Sequence, residues 1–340
     1  VIQKLLAKGM ALFALSYALA FAAPAGAQSV CSGTTLPIST SPGRNAPYVD
    51  LKFEGKTGPF LIDYGASASS LEDGIWAIPS MDPRLGRDAN GPTLKTEGFG
   101  LPGWSTTPVT LRMFDRNIYL PDQRQQHGVV GVDLIESQNV ELNYDSADKR
   151  YATISLYNAA CDTSKFSAAG FVKIGQAGHW AKGGVAPDGI HNGPVAYFSL
   201  VDGKGVATKL FWAQLDTGYE DSLLAYSIDI NRALFTSLQS SGIALKEGPS
   251  MEVTGCDGKS HSRRTFTAPA QALRVQSDTG EVVTQLKSFH LLLKDQAEAC
   301  GGISTASAPA GQFGASFLKA FGTTIFVGSI KEVWVRAPRP

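Results

Sequence analysis

Asp63 and Asp216 are the two residues of this chain whose surroundings best suit them to do chemistry together. Asp63 closes the run Phe60-Leu61-Ile62 and is followed by Tyr64-Gly65-Ala66-Ser67, while Asp216 closes Trp212-Ala213-Gln214-Leu215 and is followed by Thr217-Gly218-Tyr219-Glu220. Each aspartate therefore ends a mostly apolar run and stands two residues before a glycine position. Two carboxylates held about 3 Å apart cannot both ionise, so they share a proton and their pKa values split. One member can then take a proton from a water while the other polarises a carbonyl, a hydrolysis that needs no covalent intermediate. The titrations belong to the pair, and the sequence does not say which member holds the proton. Gly65 and Gly218 carry no β-carbon and so allow the two aspartate loops to turn tightly and approach closely.

Other chemistries find no matching pattern. The five histidines, His127, His179, His191, His261 and His290, show no metal-ligand spacing. The chain contains no G-x-S-x-G nucleophile elbow, no phosphate-binding loop and no dinucleotide fingerprint. The expectation is no metal and no cofactor.

The elements that must position the aspartates recur in the same order in each half of the chain, the signature of an internal duplication. In the first half Leu36-Pro37-Ile38 is followed by Ala46-Pro47-Tyr48-Val49-Asp50-Leu51-Lys52-Phe53, a Glu54-Gly55-Lys56 turn and the run into Asp63. In the second, Phe171-Val172-Lys173-Ile174 is followed by Gly193-Pro194-Val195-Ala196-Tyr197-Phe198-Ser199-Leu200, an Asp202-Gly203-Lys204 turn and the run into Asp216. Tyr48, Asp50 and Lys52 alternate with Val49, Leu51 and Phe53, the period of a half-buried strand, and the glycine-bearing turns predict hairpins. Farther on, His127-Gly128-Val129-Val130-Gly131-Val132-Asp133-Leu134-Ile135 corresponds to Ala310-Gly311-Gln312-Phe313-Gly314-Ala315-Ser316-Phe317-Leu318. Each reads as a strand ending in glycine, then a short helix, then a closing strand at residues 140–144 and 323–327. The second half is longer, and the regions 240–258 and 294–310 can absorb the excess.

An Asp-Thr-Gly triplet alone is weak evidence, since average residue frequencies produce one in roughly one chain in ten of this length. The chain supplies its own control: Asp278-Thr279-Gly280 follows Arg274-Val275-Gln276-Ser277, with no apolar run leading in. It reads as the turn of a hairpin between residues 272–276 and 282–286.

The duplicated aspartate turns, each followed by an apolar strand ending in glycine, resemble the bilobal aspartic proteases of the pepsin and retropepsin group. The resemblance spans residues 36–334, with Val129-Val130-Gly131 fitting the family pattern and Gln312-Phe313-Gly314 departing from it at the polar Gln312. It implies an all-β, two-lobed fold, two similar closed β-barrel lobes around a central cleft, with residues 28–165 forming the lobe of Asp63 and 166–340 the lobe of Asp216. It implies an aspartic endopeptidase in which Asp63 and Asp216 activate the water that attacks a peptide bond, often between hydrophobic side chains. The family's threonine after each aspartate sends its hydroxyl across to a backbone amide of the other lobe. Thr217 can do so; Tyr64, with its hydroxyl at the end of a rigid ring, cannot in the same way. Pepsins place Ser or Thr three residues past the aspartate, where this chain has Ala66 and Tyr219. Fewer donors stabilise the ionised form less, so a pH optimum less acid than that of pepsin is expected. Ser67 and Glu220 fall where retropepsins touch the substrate main chain. Residues 96–104 are the glycine-rich candidate for a closing flap, with Phe99 or Trp104 in place of the pepsin flap tyrosine. The departures at Tyr64, Glu220 and Gln312 leave an alternative, a peptide-binding or inhibitor-like member of the fold that has lost activity. Tyr64 lying between the carboxylates would favour it.

The remaining features bound the setting. The 340 residues are enough for two lobes, and 36 Gly and 18 Pro suit a loop-rich β protein. Thirty basic residues against thirty acidic ones give no net field to attract nucleic acid or an anionic membrane. The partner is therefore expected to be a peptide or protein substrate, the protein itself a monomer. Lys4 and Lys8, the apolar residues 10–23 and Ala25-Gly26-Ala27 read as a signal peptide over 1–27, with the mature chain starting at Gln28. The apolar stretch is shorter than the ~20 residues of a membrane span, so export to a periplasm or the exterior is expected, without stable membrane insertion. Few residues lie between Gln28 and the first repeat, so synthesis without a long inhibitory prosegment is expected. The four cysteines, Cys31, Cys161, Cys256 and Cys300, contain no CxxC and are even in number, which favours disulfides in an oxidising compartment. Of three connectivities, Cys31 with Cys161 and Cys256 with Cys300 keep each bridge within one half.

Overall fold

The computed structural model describes residues 31, 33–38, 45–89, 91–96, 101, 108–144, 152–157, 161–174, 193–255, 258–296 and 302–336. The predicted signal peptide, Phe99, Trp104, Cys256 and Cys300 lie outside the described residues. The strand of Tyr48–Phe53 buries Val49, Leu51 and Phe53 and exposes Asp50 and Lys52, as its alternation requires. Its hairpin partner, Lys56–Ile62, is exposed at the turn and buried on both faces as it runs inward to Asp63.

The duplication is visible in the topology of two sheets. In the first half the strands run in the spatial order Tyr48–Phe53, Lys56–Ile62, Gly128–Val130, Ser70–Glu72, Val109–Phe114, Gly91–Thr96 and Leu85–Asp88. In the second half the corresponding order is Val195–Asp202, Phe211–Leu215, Ala310–Phe313, Ser227–Ile230, His290–Leu293, Ser260–Thr267 and Lys246–Glu247. The directions match too. The aspartate-bearing strand pairs in parallel with the glycine-ended strand in both halves. The next pairing is antiparallel in both, and the one after it parallel in both. The second half adds the hairpin of Gln271–Gln276 and Val282–Leu286 on the outer edge of Val195–Asp202, and Met251–Thr254 against Ser260–Thr267. Part of its extra length is therefore ordered sheet and not only loop. Asp278 sits in the turn of that added hairpin, held by Lys173 at 2.9 Å, far in role from the aspartate loops.

A third sheet is shared. Its six strands run Gly33–Pro37, Thr153–Tyr157, Asn139–Asn143, Thr323–Val327, Glu332–Arg336 and Val172–Ile174, three from each half related by an approximate twofold. The two closing strands pair antiparallel at the middle, with Val140 opposite Phe326. The expected closed barrels are not formed: no pairing joins the outer strands of any of the three sheets among the described residues. Each half commits three strands to the common sheet, so those strands are not available to complete a ring of its own.

The core is continuous through both halves, with Phe198, Phe313, Phe317, Phe321 and Phe326 among its fully buried side chains. Phe313 stacks on Phe317 with centroids 4.1 Å apart, fixing the helix of Ala315–Phe321 against the strand that precedes it. Cys31 and Cys161 form a disulfide, as expected, tying the strand of Gly33–Pro37 to the end of the first half.

Candidate active site

Each aspartate leaves its strand at the same point of the duplicated topology. The Asp63 N–H donates to the Val130 carbonyl at 2.9 Å and the Asp216 N–H to the Phe313 carbonyl at 3.2 Å, so the glycine-ended strand carries each loop. One residue further round, the Val132 N–H bonds the Ala66 carbonyl and the Ala315 N–H bonds the Tyr219 carbonyl, at 2.8 and 2.9 Å. Each loop is also latched to its helix by an acid and a serine, with the roles exchanged. In the first half Asp133 on the helix accepts from the N–H and hydroxyl of Ser69 on the loop, at 2.9 and 2.7 Å. In the second, Asp221 on the loop accepts from the N–H of Ser316 on the helix at 2.9 Å and from its hydroxyl. Burial pushes the Asp221 carboxyl up to about 6, against the pull of the Ser316 donors.

The loops bring the two aspartates together across the twofold. Within each loop the aspartate's Oδ1 accepts two backbone N–H groups. For Asp63 they come from Gly65 at 2.6 Å and Ala66 at 3.1 Å; for Asp216 they come from Gly218 at 2.8 Å and Tyr219 at 3.1 Å. A β-carbon built on Gly65 would fall 2.2 Å from the Asp216 carboxyl carbon, and one on Gly218 would fall 2.4 Å from that of Asp63. Each glycine is thus the floor on which the opposite carboxyl rests, and alanine at either place would force the pair apart. Burial, the Asp216 charge and a hydrogen bond with Asp216 hold the Asp63 carboxyl well above the usual carboxylate range, with the Gly65 and Ala66 N–H groups opposing.

Thr217 makes the expected crossing. Its fully buried hydroxyl accepts the Tyr64 N–H at 2.9 Å and donates to the Ile62 carbonyl at 2.7 Å, both in the other half. At the equivalent position of the first loop stands Tyr64. Its ring stacks on Phe326 of the shared sheet, centroids 4.1 Å apart and planes 22° from parallel. Asp63 and Asp216 hydrogen-bond each other, so the ring does not separate them.

Other expected site residues separate. Glu220 was expected at the substrate main chain, but its carboxylate is already filled: Asn45 and Ala46 donate their N–H groups to Oε2 at 2.8 and 2.9 Å, and Ser222 donates to Oε1 at 2.9 Å. It straps the entry of the first half to the second, assisted by the Tyr144 hydroxyl on the Asn45 carbonyl at 2.6 Å. Ser67 is exposed beside the Asp63 loop. Of the flap candidate only Thr96 and Leu101 are described; the strands flanking it pair antiparallel, Thr96 opposite Val109. Tyr219 gives its backbone N–H to Asp216, while its hydroxyl bonds Ser227 Oγ at 2.9 Å.

One contact at the aspartates was not legible in the sequence. Gln312, a departure from the apolar pattern, turns its Nε2 to Asp216 Oδ2 and donates to it. The signal was the departure itself, a polar residue on the strand that carries the aspartate loop. No group of three or more ligating side chains suited to a metal occurs among the described residues.

No family model matches this chain, and no curated protein matches it in sequence. Among solved structures it is similar to the aspartic proteinase from Irpex lacteus, at 12% identity and a TM-score of 0.43, over 90% of this chain and 98% of that one.

Proposed function

We propose that the chain is an aspartic-type endopeptidase, hydrolysing peptide bonds of an extended substrate laid between its two halves. The observation that carries this reading is the reciprocal seating of Asp63 on Gly218 and of Asp216 on Gly65, at equivalent points of a duplicated topology. A water held by both carboxyls is positioned between an acid and a base. The ionised carboxylate takes a proton from the water as its oxygen bonds to the carbonyl carbon, and the protonated carboxyl gives its proton to the carbonyl oxygen. The resulting diol collapses when one hydroxyl gives its proton to the carboxylate now ionised and the other carboxyl gives the proton it took from water to the amide nitrogen as the C–N bond breaks, which restores the dyad. The stacking of Tyr64 on Phe326 supports this reading over a peptide binder without activity. Export is part of the proposal: it rests on the lysine-flanked apolar N-terminus and the Cys31–Cys161 disulfide. No helix among the described residues is long and apolar enough to cross a membrane.

The test is cleavage of an unbiased peptide library by the wild type and by Asp63→Asn, each with and without a transition-state isostere. Hydrolysis by the wild type that the isostere blocks, and that falls at least about 1,000-fold in the variant, is expected for a broken acid–base pair. Equal hydrolysis by the two proteins would remove the dyad from the mechanism.

A further inference from the structure

The two carboxyls of the dyad are not equally supplied. Asp63 accepts two backbone N–H groups, both on Oδ1. Asp216 accepts the same two and, on Oδ2, the Gln312 amide. Gln312 lies opposite Gln214 in the parallel pair, where the first half has Val129 opposite Leu61. Val129 has no polar group to offer Asp63, so the third donor exists on one side only.

The charged groups behind the two aspartates also differ. In the antiparallel pairing next to Gln312 stands Asp229, buried, with the Arg263 guanidinium 4.0 Å from its carboxylate. Lys294, buried at the end of the neighbouring strand, acts on both Asp229 and Asp216. At the equivalent place in the first half the partner of Val129 is Ser70, a neutral residue. The cation there, Arg116, is bound to Glu72 at 2.6 Å and to Ser70 Oγ at 2.8 Å, so that buried pair is neutral without Asp63. Buried charge is tolerated where it is matched and hydrogen-bonded. Tyr219 also faces this cluster, with Asp221 beyond it; its hydroxyl, raised by burial and by Asp229, stays protonated.

We propose that Gln312 is a positioning residue that holds Asp216 as the ionised base of the dyad, and so leaves the shared proton on Asp63. The inference rests on the aspartic-peptidase reading and assigns the roles within it. Gln312 also supplies the carboxylate donor that the third positions, Ala66 and Tyr219, do not provide through their side chains.

The experiment uses the full chain as wild type, Gln312→Val and Asp63→Asn. Valine is what the first half carries at the equivalent strand position, so the variant is expected to fold with a melting temperature close to that of the wild type. Losing a hydrogen bond to a charged group raises the proton affinity of Asp216. The acid limb of the kcat/KM profile should therefore move to higher pH by about one unit, with about tenfold lower activity below the limb. A melt that is unchanged together with a limb that is unmoved, or moved to lower pH, overturns the inference. If Asp63→Asn is inactive in that case, the dyad stands without it; if Asp63→Asn cleaves like the wild type, the peptidase reading falls and takes the inference with it. A titration of aspartate carboxyls by 13C NMR, assigned with Asp63→Asn and Asp216→Asn, gives the answer without turnover. Asp216 titrating below Asp63 supports the assignment, and the reverse order refutes it.

Discussion

Thr217→Val removes the bond that ties the two aspartate loops together and changes little else, because valine has nearly the same shape. The hydroxyl it deletes accepts the Tyr64 N–H at 2.9 Å and donates to the Ile62 carbonyl at 2.7 Å, in a place with no solvent exposure. Both backbone groups would be left buried and unsatisfied, at about 1 to 3 kcal/mol each. The expected loss is about 3 kcal/mol, within a range of roughly 2 to 6 set by how far the loops relax. Thr217→Ser keeps both bonds and loses one methyl, at a cost of about 1 kcal/mol. Urea unfolding followed by tryptophan fluorescence should place the midpoints in the order wild type, serine, valine. Peptide hydrolysis should fall further in the valine variant than in the serine variant, since a shift of about 1 Å in a reacting group can cost about 100-fold. The reasoning is refuted if the valine protein unfolds within about 0.5 kcal/mol of the wild type and turns over peptides at its rate. The loops would then be held by their helix latches alone.

Asp221→Asn tests the second of those latches through pH. With its folded pKa raised from 3.8 to about 6, Asp221 contributes stability that is present in full below about pH 4 and lost as pH rises through 6. The two-unit shift corresponds to roughly 3 kcal/mol, so urea midpoints at pH 4 and pH 7 should differ more in the wild type than in the asparagine variant. Glu220→Gln puts an amide group where three N–H donors now converge on a carboxylate. It should cost about 1 to 3 kcal/mol in thermal or urea unfolding. It should leave KM for peptides within about twofold, because the carboxylate serves the Asn45–Ala46 strap and not the substrate.

The parts of this fold that were legible are those written in local pattern. The alternation of Tyr48–Phe53, the apolar run into each aspartate and the glycine after it predict strands and tight turns from short-range physics alone. Comparison of one half with the other then separates Asp216 from the decoy Asp278, which the structure places in an outer hairpin. The shared sheet was not legible, because Asn139–Asn143 and Thr323–Val327 are ordinary buried strands whose pairing is decided by the assembly of the halves. The partners of Glu220 and Gln312 were not legible for a related reason. Each is a polar residue in a doubtful place, and its meaning lies in a partner from elsewhere in the chain: the Asn45 and Ala46 N–H groups for one, the Asp216 carboxylate for the other. A polar side chain announces that it needs a partner but not where that partner is.

The strand pairing on the twofold also decides which assemblies the halves can make. Glu141 stands opposite Ile325 at the centre of the joint between Asn139–Asn143 and Thr323–Val327, and its carboxylate takes the Tyr157 hydroxyl at 2.7 Å. Burial raises its proton affinity, so charge at this spot is already disfavoured. A first half on its own would present Asn139–Asn143 as an open edge, the kind of surface that recruits another strand. Pairing with a second copy in the same register would set Glu141 against Glu141, and like charges directly opposite are repelled. The second half has isoleucine at that point, so it accepts what a copy of the first half would reject. The difference at this one axial position fits the first half to the second and sets it against a copy of itself.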